Sequence, residues 1–569
     1  MKTLIKNGLI YDGTGGKPYK GDIFIENDRI VDICPSGILS NEISTNEPTA
    51  KNNIDKSDLA YNANNEMHLS LNNEERNADL VFYADNKAVT PGFIDSHRHC
   101  DIAAVADPNF GEVELAQGIT TVLGGNCGLT PFPYVAGTGQ QMLDFIEPVL
   151  GKAPEWMKYA SYPEYMAALE ASNPFINVGQ MLGTGAVKTA VKGFGKSPYT
   201  QSEMDKAKGY IREAMEAGVF GISTGIMYVP ECYSTTAELT ELIKSAAKYK
   251  RILTFHIRGE GDSLVSSVEE VLKIGRDAEV PINISHFKAV GIENWQKTIY
   301  QAIDKIEEAR ASGQDVSVDF YPYTGGSTTL MSLLPPSVQE TDIKDTLRNI
   351  STTEGAKLLK NEINRKHDNW DNTSLNIGWD RIIISYVTKP ANKDFVGDNI
   401  QDLAYKNGYE DPVDFFRELL IDEQGKVGVI QMSMDQHDVD TIAKLPYSMV
   451  ISDSLYGNAD SPHPRLFGSF PRIIQEFVYK RKILSLETAI NKMTQMTAER
   501  FQIDRRGTLE VGNYADINIF NPKNLKDLAS YSKPKKLSIG LDMAFINGRL
   551  VWNNNKMIRA YRAGAIRHI

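Results

Sequence analysis

No apolar run in this sequence approaches the length of a bilayer span. Positive charge is also short: 61 lysines and arginines stand against 73 aspartates and glutamates, for a net charge of -12. That balance excludes a broad electrostatic pull toward nucleic acid or an anionic membrane, so a small-molecule partner is expected. Cysteine is rare, with only four in 569 residues (Cys34, Cys100, Cys127 and Cys232), scattered too widely for a disulfide framework. The opening stretch MKTLIKNGLIYDGTGG breaks into turn residues before any cleavage-site pattern. Together these features lead us to expect a reduced, cytoplasmic protein, monomer or small homo-oligomer. What is present is ordinary globular material, 41% hydrophobic and 24% charged, in a chain long enough for more than one domain.

The first residues alternate and turn, as short antiparallel strands do. Between about 35 and 80 the chain becomes rich in Asn, Glu, Ser and Lys and reads as a flexible excursion. From Val89 onward, eight apolar runs alternate with amphipathic segments: GFIDSH, TTVLGGN, NVGQMLG, VFGISTG, ILTFHI, PINISHF, DVSVDFYPY and SMVISDS. Strand followed by helix, repeated eight times, predicts an α/β protein built on a (β/α)8 barrel over residues 91–500. More than a hundred residues separate the seventh and eighth runs, which predicts a mostly helical lobe over 325–445. The last segment returns to strand patterns, so residues 1–90 and 501–569 are expected to form one composite β-sandwich domain.

Histidine is rarer than its placement suggests. The chain has nine, and four of them end predicted strands: His97 and His99 after the first, His256 after the fifth and His286 after the sixth. Residues i and i+2 of a strand point to one face, and barrel sites lie at the C-terminal strand ends. Four imidazoles at one rim therefore point to a metal rather than to scattered surface histidines. Cys127 follows the second strand in GGNCG; as a thiolate it can ligate zinc and bridge two ions, whereas alone it reads as a small buried hydrophobe. Asp453 ends the eighth strand and reads either as a metal-side carboxylate and proton acceptor or as a helix N-cap. Asp95 reads as a group that orients a ligand from behind. Lys288 lies two residues beyond His286, where it meets a substrate carboxylate or only solvent. Tyr321, Tyr323 and Ser327 end the seventh strand, where binding and barrel packing are both open readings. Arg465, in HPRLFGSFPR, offers a cation for a second acid on a glutamate-like side chain.

PGFIDSHRHCD, GNCG, GISTGIMYVP, HIRGEG, SHFKAVG, YPYTGGST and HPRLFGSFPR together resemble the D-aminoacylase, or N-acyl-D-amino-acid deacylase, group of the metal-dependent amidohydrolase superfamily. The resemblance spans about Met1–Cys34 and everything from about Val89 onward. It implies a tightly bound zinc on Cys127, His256 and His286, and a second, weaker ion on His97 and His99 with Cys127 bridging. It implies Asp453 as the residue that takes a proton from water and returns it to the leaving amine. Lys288, one of the two tyrosines and Ser327 are implied to hold the α-carboxylate. VFGISTG ends without a lysine, in keeping with a cysteine that replaces the bridging lysine carbamate of other relatives. Two departures, Phe287 where relatives often carry histidine and Arg98 inside the HxH, leave the ligands in place and bear on substrate preference. The expected reaction is zinc-dependent hydrolysis of an N-acyl-D-amino acid. The competing expectations are hydrolysis of a cyclic amide such as a dihydropyrimidine, hydantoin or imide, and a non-enzymatic binding protein on the same scaffold.

Overall fold

The eight apolar runs become eight parallel strands in a computed structural model that describes residues 1–35, 78–339, 342–367, 370–457 and 461–569. They are β1 (Phe93–Asp95), β2 (Ile119–Gly124), β3 (Asn177–Gln180), β4 (Gly221–Gly225), β5 (Ile252–His256), β6 (Ile282–Ile284), β7 (Val316–Phe320) and β8 (Ser448–Val450). Every residue in them is buried, including polar ones such as Asn177, Gln180, Ser223, Asn283, Ser317 and Asp319. Each strand pairs with the next in chain order, with β3 continuing past Met181 as Leu182–Gly183 to reach β4. The ring closes beyond the strand ends, where Arg98–His99 runs parallel to Ser454–Leu455 and the Asp453 amide donates to the His97 carbonyl at 2.9 Å. This is the (β/α)8 arrangement.

Helices cover the barrel by the spacing of their apolar residues. The helix α1 (Gln201–Glu216) buries Met204, Ala207, Ile211, Ala214 and Met215, steps of three and four that make one face. Thr200 with Glu203 starts it as a capping box, and Thr235 with Glu238 does the same for α2 (Thr236–Lys244). The helices α3 (Leu264–Ala278) and α4 (Thr298–Ala311) follow β5 and β6. No helix among the described residues is long and apolar enough to cross a membrane.

Both chain ends contribute to one nine-stranded sheet. The N-terminal strands Lys2–Ile10, Tyr19–Glu26, Arg29–Pro35, Leu80–Tyr83 and Ala88–Pro91 meet the C-terminal ones where Ile517–Phe520 lies antiparallel to Ala88–Pro91. This sheet has its own core, including Ile5, Ile23, Val89, Ile517 and Phe545. One residue, Gly92, joins it to β1; a Cβ there would stand 2.1 Å from the Thr120 hydroxyl, so only glycine fits. The Asn-rich excursion expected near 35 to 80 falls on residues 36–77, outside the described residues.

Between β7 and β8 the chain builds a lobe with a separate core that includes Leu330, Leu347, Leu359, Ile382, Phe416 and Val429. Helices make up much of it, but its centre is a three-stranded antiparallel sheet of Gly326–Thr329, Gly428–Gln431 and Ile382–Tyr386. That sheet is absent from the sequence reading because its first strand, GSTT, carries no apolar periodicity. It matters here because its residues reach the mouth of the barrel.

Candidate metal centre

The barrel's strand ends bring five ligand-type side chains to one point. β1 stops at Asp95; beyond a bend at Ser96, His97 and His99 turn inward with ring centroids 5.3 Å apart. His256 ends β5, and its ring lies 4.4 Å from that of His286, just past β6. Cys127 follows β2 on a tight turn in which a Cβ at Gly125 would meet the Met181 carbonyl at 2.2 Å. Its sulfur stands 3.3 Å from His97 Nε2 and 3.5 Å from His286 Nε2. The result is two triads, His97–His99–Cys127 and Cys127–His256–His286, whose ligand atoms lie within 4.8 Å of one another in each and which share the cysteine.

Two of these inward groups, Cys127 and His286, sit on strained backbone with φ of 54° and 36°. Residues other than glycine, asparagine and aspartate seldom adopt that region, and it clusters at functional sites.

The donor set fits a divalent cation. Ligands at tetrahedral angles on zinc lie about 3.4 to 3.8 Å from one another, given bonds of roughly 2.0 to 2.3 Å. The sulfur–nitrogen spacings above fall in or next to that range. Asp453 Oδ1 adds a carboxylate 3.3 Å from His99 Nε2 and 3.4 Å from His97 Nε2. Burial opposes ionisation of Cys127, but His97 and His286 outweigh it and hold the thiol well below its usual range, as a thiolate. Burial likewise opposes the Asp453 carboxylate, and Arg465, His99 and His97 overcome it, keeping the acid ionised. Burial pushes His256 down to about 4, so it presents a neutral nitrogen. Two anions and a neutral imidazole at one focus are electron-pair donors for a zinc ion, while His97 and His99, pushed down by burial but pulled up further by Cys127 and Asp453, would each give up a proton to join them.

A carboxylate layer stands behind the ligands. Glu260 Oε1 lies 3.0 Å from His286 Nδ1 and accepts from Lys288 Nζ at 2.5 Å. Lys288 Nζ is itself 2.8 Å from that ring nitrogen. Asp319 accepts from the His286 backbone amide and from Asn283 Nδ2, and stands 3.9 Å from His97 Nδ1. Asp95 accepts from the His97 amide at 3.3 Å and from the Ser452 amide at 3.1 Å, tying β1 to the loop that carries Asp453. Arg98, fully buried, joins Asp95 at 3.1 Å and Glu114 at 2.7 Å.

The other sequence-predicted residues divide. Lys288, Tyr321 and Ser327 line a cleft whose floor includes the metal ligands His99, Cys127, His256 and His286. Tyr323 does not line it: its hydroxyl donates to Asp527 at 2.9 Å, drawn away by the C-terminal segment. Arg465, expected to face a second substrate acid, instead pairs with Asp453 Oδ2 at 2.8 Å and stacks 4.6 Å over Tyr321. Phe287 packs in the barrel core rather than in the cleft. Glu260 went unassigned in the sequence; its one signal was a carboxylate four residues beyond the His256 ligand in HIRGEG.

The amidohydrolase family profile matches residues 81–311 and 439–552, which contain all five ligand-type residues and Asp453. The chain belongs to the amidohydrolase family. This amidohydrolase is 30% identical to the N-acyl-D-glutamate deacylase of Alcaligenes xylosoxydans xylosoxydans, over 97% of this chain and 94% of the relative. It is also 30% identical to the D-aminoacylase of the same organism, over 96% of this chain and 94% of that one. Its structure is similar to the crystal structure of N-acyl-D-glutamate deacylase from Bordetella bronchiseptica in complex with zinc and a phosphonate inhibitor that mimics the tetrahedral intermediate. That similarity has a TM-score of 0.78 at 29% identity, covering 100% of this chain and 99% of the other.

Proposed function

We propose that this amidohydrolase cleaves N-acyl-D-amino acids to a carboxylate and a free D-amino acid, using zinc held at the shared-cysteine site. The observation that carries the reading is Cys127, whose sulfur lies within 3.5 Å of imidazole nitrogens of both triads with Asp453 alongside. Cys127, His256 and His286 would hold one ion, and His97 and His99 with Cys127 a second. An ion held there would supply a Lewis acid for the amide carbonyl and lower the pKa of a bound water.

The remaining steps fall to the chain's own groups. Asp453, ionised and clamped by Arg465, accepts the water's proton and delivers it to the departing amine. Lys288 has three donors; Glu260 takes one, leaving others for the substrate's α-carboxylate as a charge-assisted bond. Tyr321 offers a hydroxyl from the same cleft, and Ser327 lines it as well, its hydroxyl donating to the Val429 carbonyl at 3.0 Å until a substrate carboxylate takes its place. An amide carbonyl at the metal, a carboxylate at Lys288 and a side-chain wall are three fixed points. Inverting the α-carbon while keeping the first two sends the side chain to the wrong wall.

The test is a panel of paired N-acetyl-D- and N-acetyl-L-amino acids offered to the zinc-loaded protein. Cleavage confined to the D series is the expected result. Cleavage of a dihydropyrimidine, hydantoin or imide with no D-enantiomer hydrolysed overturns the proposal.

A further inference from the structure

The reading above does not fix which D-amino acid is preferred, and the cleft's charge distribution bears on that. Its charged lining residues, Glu260, Lys288, Asp453 and the Cys127 thiolate, gather around the metal ligands. Lys288 is the only lysine or arginine among the described residues that line the cleft, and Glu260 already binds it at 2.5 Å. Arg465 is 1% exposed and held by Asp453. Leu129, Val149 and Leu455 line the cleft as an apolar wall and pack in the same cluster as Cys127. The lobe faces them with Thr328, Gln431 and Ser433, all neutral.

We propose that this cleft selects an apolar D-amino-acid side chain and rejects aspartate and glutamate. The proposal rests on the deacylase reading and narrows its substrate class. A side-chain carboxylate drawn into the cleft leaves water and meets no further lysine or arginine among the described lining residues, because Lys288 is committed to Glu260 and to the substrate's own α-carboxylate. A basic cavity does lie on the far side of Met227, lined by Arg258, Arg365, Lys366 and His367. Its cations are already matched: Arg258 pairs with Glu270 at 2.9 Å, Arg365 with Glu362 at 2.7 Å and Lys366 with Asp262 at 3.0 Å. It offers no uncompensated charge to an acid reaching past Met227.

Three substrates of nearly equal length separate charge from shape: N-acetyl-D-methionine, N-acetyl-D-glutamine and N-acetyl-D-glutamate. Glutamine and glutamate differ only in charge, methionine and glutamine chiefly in polarity. In kcat/KM the expected order is methionine, then glutamine, then glutamate, with glutamate about a hundredfold or more below methionine. Glutamate within threefold of methionine overturns the proposal and leaves the deacylase reading standing. Calorimetric binding of the same three compounds to zinc-loaded Asp453→Asn gives a readout that needs no turnover. The same order in binding, with no hydrolysis by the wild type, sustains the apolar cleft and overturns the deacylase reading instead. Equal binding of methionine and glutamate derivatives overturns the proposal by that route as well.

Discussion

Glu260 Oε1 lies 3.0 Å from Nδ1 of His286, on the ring edge opposite the Nε2 that approaches the Cys127 sulfur. A ligating imidazole whose other nitrogen donates to a carboxylate is held in one tautomer and one orientation and is a stronger base toward the metal. Glu260→Ala removes that hold and also frees Lys288. Zinc affinity, measured by competition with a chelator, is expected to fall about 10- to 100-fold. Glu260→Gln keeps a hydrogen-bond acceptor and should fall less. Unchanged affinity in both variants removes Glu260 from the metal site.

Cys127 is shared by both triads, so its loss is expected to be the most damaging single change to metal content. Elemental analysis of Cys127→Ala should find most of the zinc gone. His256→Ala and His286→Ala should behave alike, whereas His97→Ala should retain the ion bound through Cys127, His256 and His286. Full zinc occupancy in the cysteine variant contradicts the bridging arrangement.

Asp453 faces His97 and His99 with one oxygen and Arg465 with the other. Asp453→Asn keeps the size of the group but can neither accept nor deliver the proton. We expect zinc content near that of the wild type and kcat lower by roughly 10²- to 10⁴-fold. Loss of zinc in step with activity would make Asp453 a ligand first and a proton carrier second.

Lys288→Ala should weaken carboxylate-bearing substrates more than matched primary amides, because only the former lose a charge-assisted bond. The comparison is the ratio of kcat/KM for an N-acetyl-D-amino acid to that for its amide, wild type against variant. A ratio that does not move assigns Lys288 to Glu260 and His286 alone.

Arg98 is 0% exposed and is the cation that Asp95 and Glu114 share. Arg98→Leu strands two carboxylates in the barrel wall and is expected to cost about 3 to 5 kcal/mol of folding stability. Denaturant unfolding reads this directly. A loss below about 1 kcal/mol, the range of an exposed ion pair, shows that water reaches the pair.

The eight strands and their order were readable from the sequence because each is a short, largely apolar run and amphipathic helical segments separate several of them, and both are local properties. The metal ligands were readable for a related reason: His97, His99, Cys127, His256 and His286 each follow an identifiable strand, and a barrel gathers its strand ends at one rim. Only the tertiary structure decided which partner each remaining polar group takes. Glu260 meets His286 across two neighbouring strands, Tyr323 turns to Asp527 some two hundred residues away, and Arg465 folds back onto Asp453 instead of facing the cleft. None of these pairings leaves a trace in periodicity or spacing. A buried charge or hydroxyl must find a partner wherever the packed chain offers one, and the choice is made by three-dimensional proximity after the strands and helices are in place.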